Sequence, residues 1–255
     1  MAQATIAPDA VPDAEIAGEL DDHPAQSTAV AIPNNMELGS MGGERDMSDL
    51  KFPRLQIAYG VGSLSEKFSN GDLVLDKEHR LAGKKEGINI IILNSLTYWK
   101  EYTEFGSGSM PRIFMKKAEV LAAGGTTDWG PNREPPTFKK AMDMKLLIEK
   151  PKDLVCGLFG LELDGKQYAP ATWSIDKTAY TRVNEKIAPV ASFSLAKQGL
   201  IGGRWVLSTD TEKNKRGNVV VIPVIKFAGL NSDKLIADIR STFGGGGPIT
   251  PDTSA

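Results

Sequence analysis

Cysteine and histidine are nearly absent from this chain. Cys156 is the single cysteine, so no internal disulfide and no cysteine-based metal site can form. His23 and His79 are the only histidines, which removes histidine-rich zinc sites and makes histidine-dependent catalysis hard to assemble. Long apolar runs are missing too, since none approaches the roughly 20 residues needed to cross a bilayer. No basic segment followed by an apolar one opens the chain, so no signal peptide is expected. These absences predict a soluble, cytoplasmic protein with no membrane partner.

The motifs of common chemistries are also lacking. Gly60-Val61-Gly62 has no third glycine to complete a dinucleotide fingerprint, and Gly83-Lys84-Lys85 lacks the earlier glycine and the Ser/Thr of a phosphate-binding loop. No CxxC, HExxH or GxSxG occurs. The acid pairs Glu162/Asp164 and Asp210/Glu212 fall at expected turns and read as solvated residues, not metal ligands. Cys156 lies in an apolar stretch with no histidine nearby and reads as a core residue. His79, in a charged connection, reads as a solvated loop residue. No enzyme, no metal and no cofactor are expected.

Charge is present but unevenly placed. The net charge is -2, yet residues 1–50 hold ten acids and one base, for -9, while residues 51–255 hold 22 acids and 29 bases, for +7. All 18 aromatic residues lie between Phe52 and Phe243. An acidic segment without rings cannot bury enough apolar surface to offset its chain entropy. Residues 1–50 therefore read as a disordered acidic tail, residues 51–243 as the basic folded core, and the Gly/Pro-rich residues 244–255 as a second disordered tail.

Within the core, Pro53–Ile57 and Asp72–Leu75 read as short strands, and 77–87 as a charged connection too polar for the core. Ile88–Leu96 is a β-branched strand running into four rings within eight residues, Tyr98, Trp99, Tyr102 and Phe105. A short helix is expected over 113–123, with Phe114, Ala118 and Leu121 on one face and Gly124 as its stop. A long loop around Trp129 follows, and then an alternating strand over 142–148. Asp164-Gly165 predicts a type I′ hairpin between 154–163 and 166–173. A helix over 176–188, capped by Ser174 or Asp176, should end at Pro189, and a last one over 233–243 should be capped by Ser232.

The central feature is a hairpin. Arg204–Thr209 should place Trp205 and Leu207 on one face and Arg204, Val206 and Ser208 on the other. Its partner, 218–227, is so apolar that burial on both faces is expected, while Pro223 argues for an edge or a bulge. Between them a basic loop carries Lys213, Lys215 and Arg216. With eight or nine strands, frequent hairpins and two or three short helices, the fold reads as β-rich α+β: an elaborated antiparallel OB-like barrel.

Cations interleaved with rings point to single-stranded nucleic acid, because ammonium groups track phosphates while rings stack on bases without reading sequence. The candidate binding residues are Arg54, Lys84, Lys85, Tyr98, Trp99, Lys100, Tyr102, Lys139, Lys140, Arg204, Trp205, Lys213, Lys215 and Arg216. Three stretches carry a resemblance: Pro53-Arg54-Leu55-Gln56-Ile57, then Gly71-Asp72-Leu73, and Trp205–Thr209 with Lys215–Val224. The arrangement resembles bacteriophage single-stranded DNA-binding proteins. The resemblance implies an OB-like fold, no cofactor, and a role in phage DNA replication or recombination in the host cytoplasm. The partners it implies are single-stranded DNA, other replication or recombination proteins, and further copies of the chain. Those proteins usually carry their acidic tail at the C-terminus, whereas here it is N-terminal. The alternative expectation is a phage structural or assembly protein with flexible arms.

Overall fold

A β-branched run, with four isoleucines from Ile88 to Ile92, opens the central strand of the fold. A computed structural model describes residues 52–103, 110–213 and 217–243, all within the unit Asp46–Ala255. The acidic tail, the Gly/Pro tail, Phe105, Lys215 and Arg216 lie outside the described residues.

The strands are β1 (Leu55–Ile57), β2 (Leu73–Leu75), β3 (His79–Ala82), β4 (Ile88–Glu101), β5 (Ile113–Phe114), β6 (Phe138–Glu149), β7 (Leu161–Leu163), β8 (Lys166–Asp176), β9 (Gly203–Lys213) and β10 (Val219–Leu230). The helices are α1 (Lys117–Ala122), α2 (Lys177–Phe193) and α3 (Asp233–Phe243). This is a β-rich α+β fold with antiparallel sheets. The large sheet runs β10-β9-β4-β6-β8-β7 with β5 beside β4, and the small sheet runs β1-β2-β3. The large sheet is open: among the described residues its end strands β10 and β7 do not pair, so hydrogen bonding closes no barrel. The small sheet is tied to the large one on two sides. The Thr172 N–H of β8 donates to the Pro53 carbonyl at 2.9 Å, and the Lys85 N–H donates to the Thr209 carbonyl of β9 at 2.9 Å.

The even-numbered residues of β6, Met142 to Ile148, face the main core with Ile88, Ile90 and Ile92 of β4, Trp173 of β8, and Trp205 and Leu207 of β9. A second apolar cluster on the opposite face joins Ile91, Leu147 and Tyr168 to Leu235 and Ile239 of α3. That helix is capped as expected, with the Leu235 N–H donating to Ser232 Oγ at 3.1 Å. The Asp164-Gly165 turn has φ of 47° and 73°, the left-handed pair that a type I′ hairpin needs.

Several expectations fail. β10 is not buried on both faces: it is the sheet edge, mostly half-exposed or exposed, which is why Pro223 is tolerated there without a ladder donor. The charged stretch 77–87 contains β3, whose Leu81 and Ala82 are buried against the main core. In the 113–123 segment, 113–114 is a strand, and α1 buries Val120 while Leu121 is exposed. α2 does not stop at Pro189 but runs on to Phe193. Pro189 is on the exposed side, where water can satisfy the carbonyl that loses its partner, while buried Val183 and Ile187 anchor the helix. Asp176 stands at the N-cap of α2 but makes no side-chain cap bond. Among the described residues no helix is long and apolar enough to cross a membrane.

Candidate nucleic-acid interface

The register of β4 on β6 decides which ring meets which cation. Trp99 is opposite Lys140, and Lys100 is opposite Lys139. Directly opposed residues on antiparallel strands share a face, so Lys140 lies over the Trp99 ring, its Nζ 5.5 Å from the centroid. One residue beyond β4 stands Tyr102, half-exposed at 50%. Two ammonium groups flank its ring: Lys139 Nζ and Lys177 Nζ are each 5.0 Å from the centroid. Lys177 gets there because β8 ends at Asp176 and the chain turns through a left-handed residue, Lys177 at φ 53°, directly into α2.

These groups border two depressions. A cleft of about 590 Å³ is lined by Trp99, Lys139, Lys140, Lys177 and Arg182, with Trp129 (67% exposed) and Pro136 contributed by the long loop. A smaller crevice of about 120 Å³ surrounds Tyr102, Lys100, Lys139, Asp176 and Lys177. Lys100, Lys139, Lys140 and Lys177 make no ion pair with a described carboxylate, so their charge is open to an anionic ligand. Arg182 is instead engaged, donating to both carboxylate oxygens of Glu212 on β9 at 3.0 and 2.8 Å. That pair holds Glu212, near the end of β9, to a residue that lines the cleft.

Arg112 fixes the aromatic segment from the other side. Its guanidinium donates to both oxygens of Glu101 at 3.0 and 2.7 Å and lies 5.3 Å from the Phe138 ring centroid. Hydrogen bonds from the Arg112 side chain hold the Glu101 carboxyl below its usual range.

The remaining candidates separate. Tyr98 is buried at 8% exposure and its hydroxyl donates to Asp143 Oδ1 at 3.1 Å, so it braces the strand and offers no stacking face. Burial, and then the charge of Asp143, push its phenol up to about 12. Trp205 is fully buried, edge-on to Phe227 at 5.2 Å, and is a core residue, not a platform. Arg204 is opposite Ile91, nine positions along β4 from Lys100, or about 30 Å at strand rise. Its guanidinium reaches the Ala228 carbonyl at 3.5 Å. Arg54 is exposed beside β8, bridged to Thr172. Lys84 and Lys85 are exposed on the turn into β4, with Lys85 3.9 Å from Asp210. Lys213 is exposed at the end of β9. The fold thus joins Trp99, Lys100, Tyr102, Lys139 and Lys140, and leaves Arg204 and Trp205 elsewhere.

Sequence reading missed Lys177, Trp129 and Arg182. Trp129 did leave a signal: a large ring in a polar loop, Gly124–Pro136, with no apolar neighbour to bury it. Lys177 left none, because only the turn at its own backbone brings it to Tyr102. Among the described residues, no cluster of three or more His, Cys, Asp or Glu could hold a metal ion. No protein-family model, no curated protein and no solved structure matches this chain.

Proposed function

We propose that the protein is a sequence-tolerant, non-enzymatic binder of single-stranded DNA, acting in phage DNA replication or recombination. The observation that carries this reading is the half-exposed Tyr102 ring flanked by two ammonium groups, beside a second ring, Trp99, under a third. Rings of this kind take bases on their faces while the ammonium groups meet the phosphates on either side.

Strand order supports the finer fold reading, an OB-like barrel. Counting β4, β6, β8, β9 and β10 as strands one to five, the order is five-four-one-two-three, with α2 between strands three and four. In OB folds the face of strands two and three and the loops between one and two and between four and five meet oligonucleotides. Here the first of those loops supplies Tyr102 and Trp129, and the second is the basic tip after Lys213. The small sheet is bonded to both β8 and β9 through the residues that flank it, and it packs into the same core. The resemblance of 53–57, 71–73, 205–209 and 215–224 to phage single-stranded DNA-binding proteins points the same way.

Fluorescence titration with oligo-dT at low and moderate salt tests the proposal. The expected result is tight binding at low salt that weakens linearly in log–log form, with a slope of about -0.7 per phosphate neutralised. Absence of binding at low salt, both for the full chain and after removal of residues 1–50, would overturn it.

A further inference from the structure

We infer that a second pocket, between β1 and β8, continues the strand track, so that the bound strand passes from the Trp99 cleft across Tyr102 and ends against Tyr59. This rests on the single-stranded reading above. The pocket measures about 460 Å³, large enough for a small organic group. Its walls include Leu55 and Ile57 of β1 and Trp173 of β8, with Tyr59 and Lys77 at its margin.

Continuity with the first site is written in shared walls. Lys100 and Asp176 line both this pocket and the crevice around Tyr102. Lys139 and Lys177 line both that crevice and the Trp99 cleft. The three depressions therefore adjoin in series, with cations at each junction. The chemistry of the first site also recurs in the last. Tyr59 is 45% exposed, and Lys77 and Lys100 supply positive charge that makes no ion pair with a described carboxylate. Two carboxylates line the crevice: Glu101, which is engaged by Arg112, and Asp176, which lines it with Lys100 and Lys177.

Lys77 adds a local argument. Asp76 and Lys77, at φ 52° and 62°, are consecutive left-handed residues in the three-residue connection Asp76–Glu78 between β2 and β3, closed by the Glu78 N–H donating to the Leu75 carbonyl at 3.2 Å. Glycine is the favoured second residue of such a turn. A lysine there works against the backbone, and a cation needed at the pocket mouth accounts for its presence.

The test uses the full chain and labelled oligo-dT of about four and about twelve nucleotides, near the ends of the range one OB fold covers. The variants are Tyr59→Ala and Lys77→Gly. The second creates an Asp-Gly turn, which suits the backbone better than the native pair, so weakened binding in it is not a folding defect. Tyr59→Ala should lower affinity for the longer oligonucleotide about tenfold, in the range expected for one lost stacking face. Lys77→Gly should reduce the magnitude of its salt slope by about one phosphate's share. Both should bind the shorter oligonucleotide within about twofold of the parent. If both variants match the parent at both lengths, or lose affinity equally at both, the pocket is not the far end of the track. If the parent binds neither length at low salt, the single-stranded reading itself falls.

Discussion

Two places in this protein put a tryptophan next to a cation in sequence, and they end in opposite environments. At Arg204-Trp205 the indole is sealed in the main core and the guanidinium is on the outer face. At Trp99-Lys100 the ring is half-buried and a different lysine, Lys140, covers it. The reason is the period of a strand. Neighbours in sequence point to opposite faces, so a cation beside a ring in the chain is never its partner within a regular strand. The partner comes from the residue directly across, here Lys140 opposite Trp99. Arg204 could not have served Trp205, however suggestive the dipeptide.

The largest expected effect breaks the pair apart. Trp205→Ala should cost about 3–5 kcal/mol of folding stability, as for other buried large rings, read by urea denaturation. Trp99→Ala should leave the denaturation midpoint close to the parent's but cost about 1–3 kcal/mol of oligo-dT affinity. If Trp99→Ala unfolds the protein as readily as Trp205→Ala, the contrast between core ring and surface ring is lost.

A smaller effect separates the cations. Lys139→Ala with Lys177→Ala should lower the magnitude of the salt slope by about two phosphates' share, whereas Arg204→Ala should leave it unchanged. Titration of both variants across a salt series reads this, and an Arg204→Ala slope that drops as far as the double variant's would place that arginine on the track.

The smallest effect concerns the bracing tyrosine behind the interface. Tyr98 and Tyr168 are both pushed up to about 12, chiefly by burial. Each favours the protonated form in the folded state, so each contributes stability that is whole below the ordinary phenol value of 10 and is lost as pH rises toward 12. Thermal melts should therefore fall over that window, and Tyr98→Phe should flatten part of the fall. Parallel falls in the parent and in Tyr98→Phe would show that the Tyr98 phenol is not a source of it.

Much of the fold was legible because it is written in local patterns. The even-residue apolar face of β6, the Asp164-Gly165 turn and the Ser232 cap each depend on a few adjacent residues, and each formed as expected. The errors came where a neighbour from elsewhere decides. The apolar run of β10 reads as doubly buried, but it is the sheet edge, and among the described residues no strand pairs on its outer side. Pro189 reads as a stop, but solvent access to its turn lets α2 continue.

The amino-acid order alone determined the division of charge, -9 in residues 1–50 against +7 in the rest, and the confinement of every ring to 52–243. It also determined which side chains share a face within an unbroken strand, because alternation is a property of the backbone itself, but not across the register shift at Ile92–Asn94 of β4, which turns Trp99 to the face of Lys140. Only the tertiary structure decided that Tyr102 meets Lys139 and Lys177, and that Trp205 is sealed in the main core against Phe227. Cross-strand register and the turn into α2 set those encounters, and both arise from pairing between segments far apart in the chain.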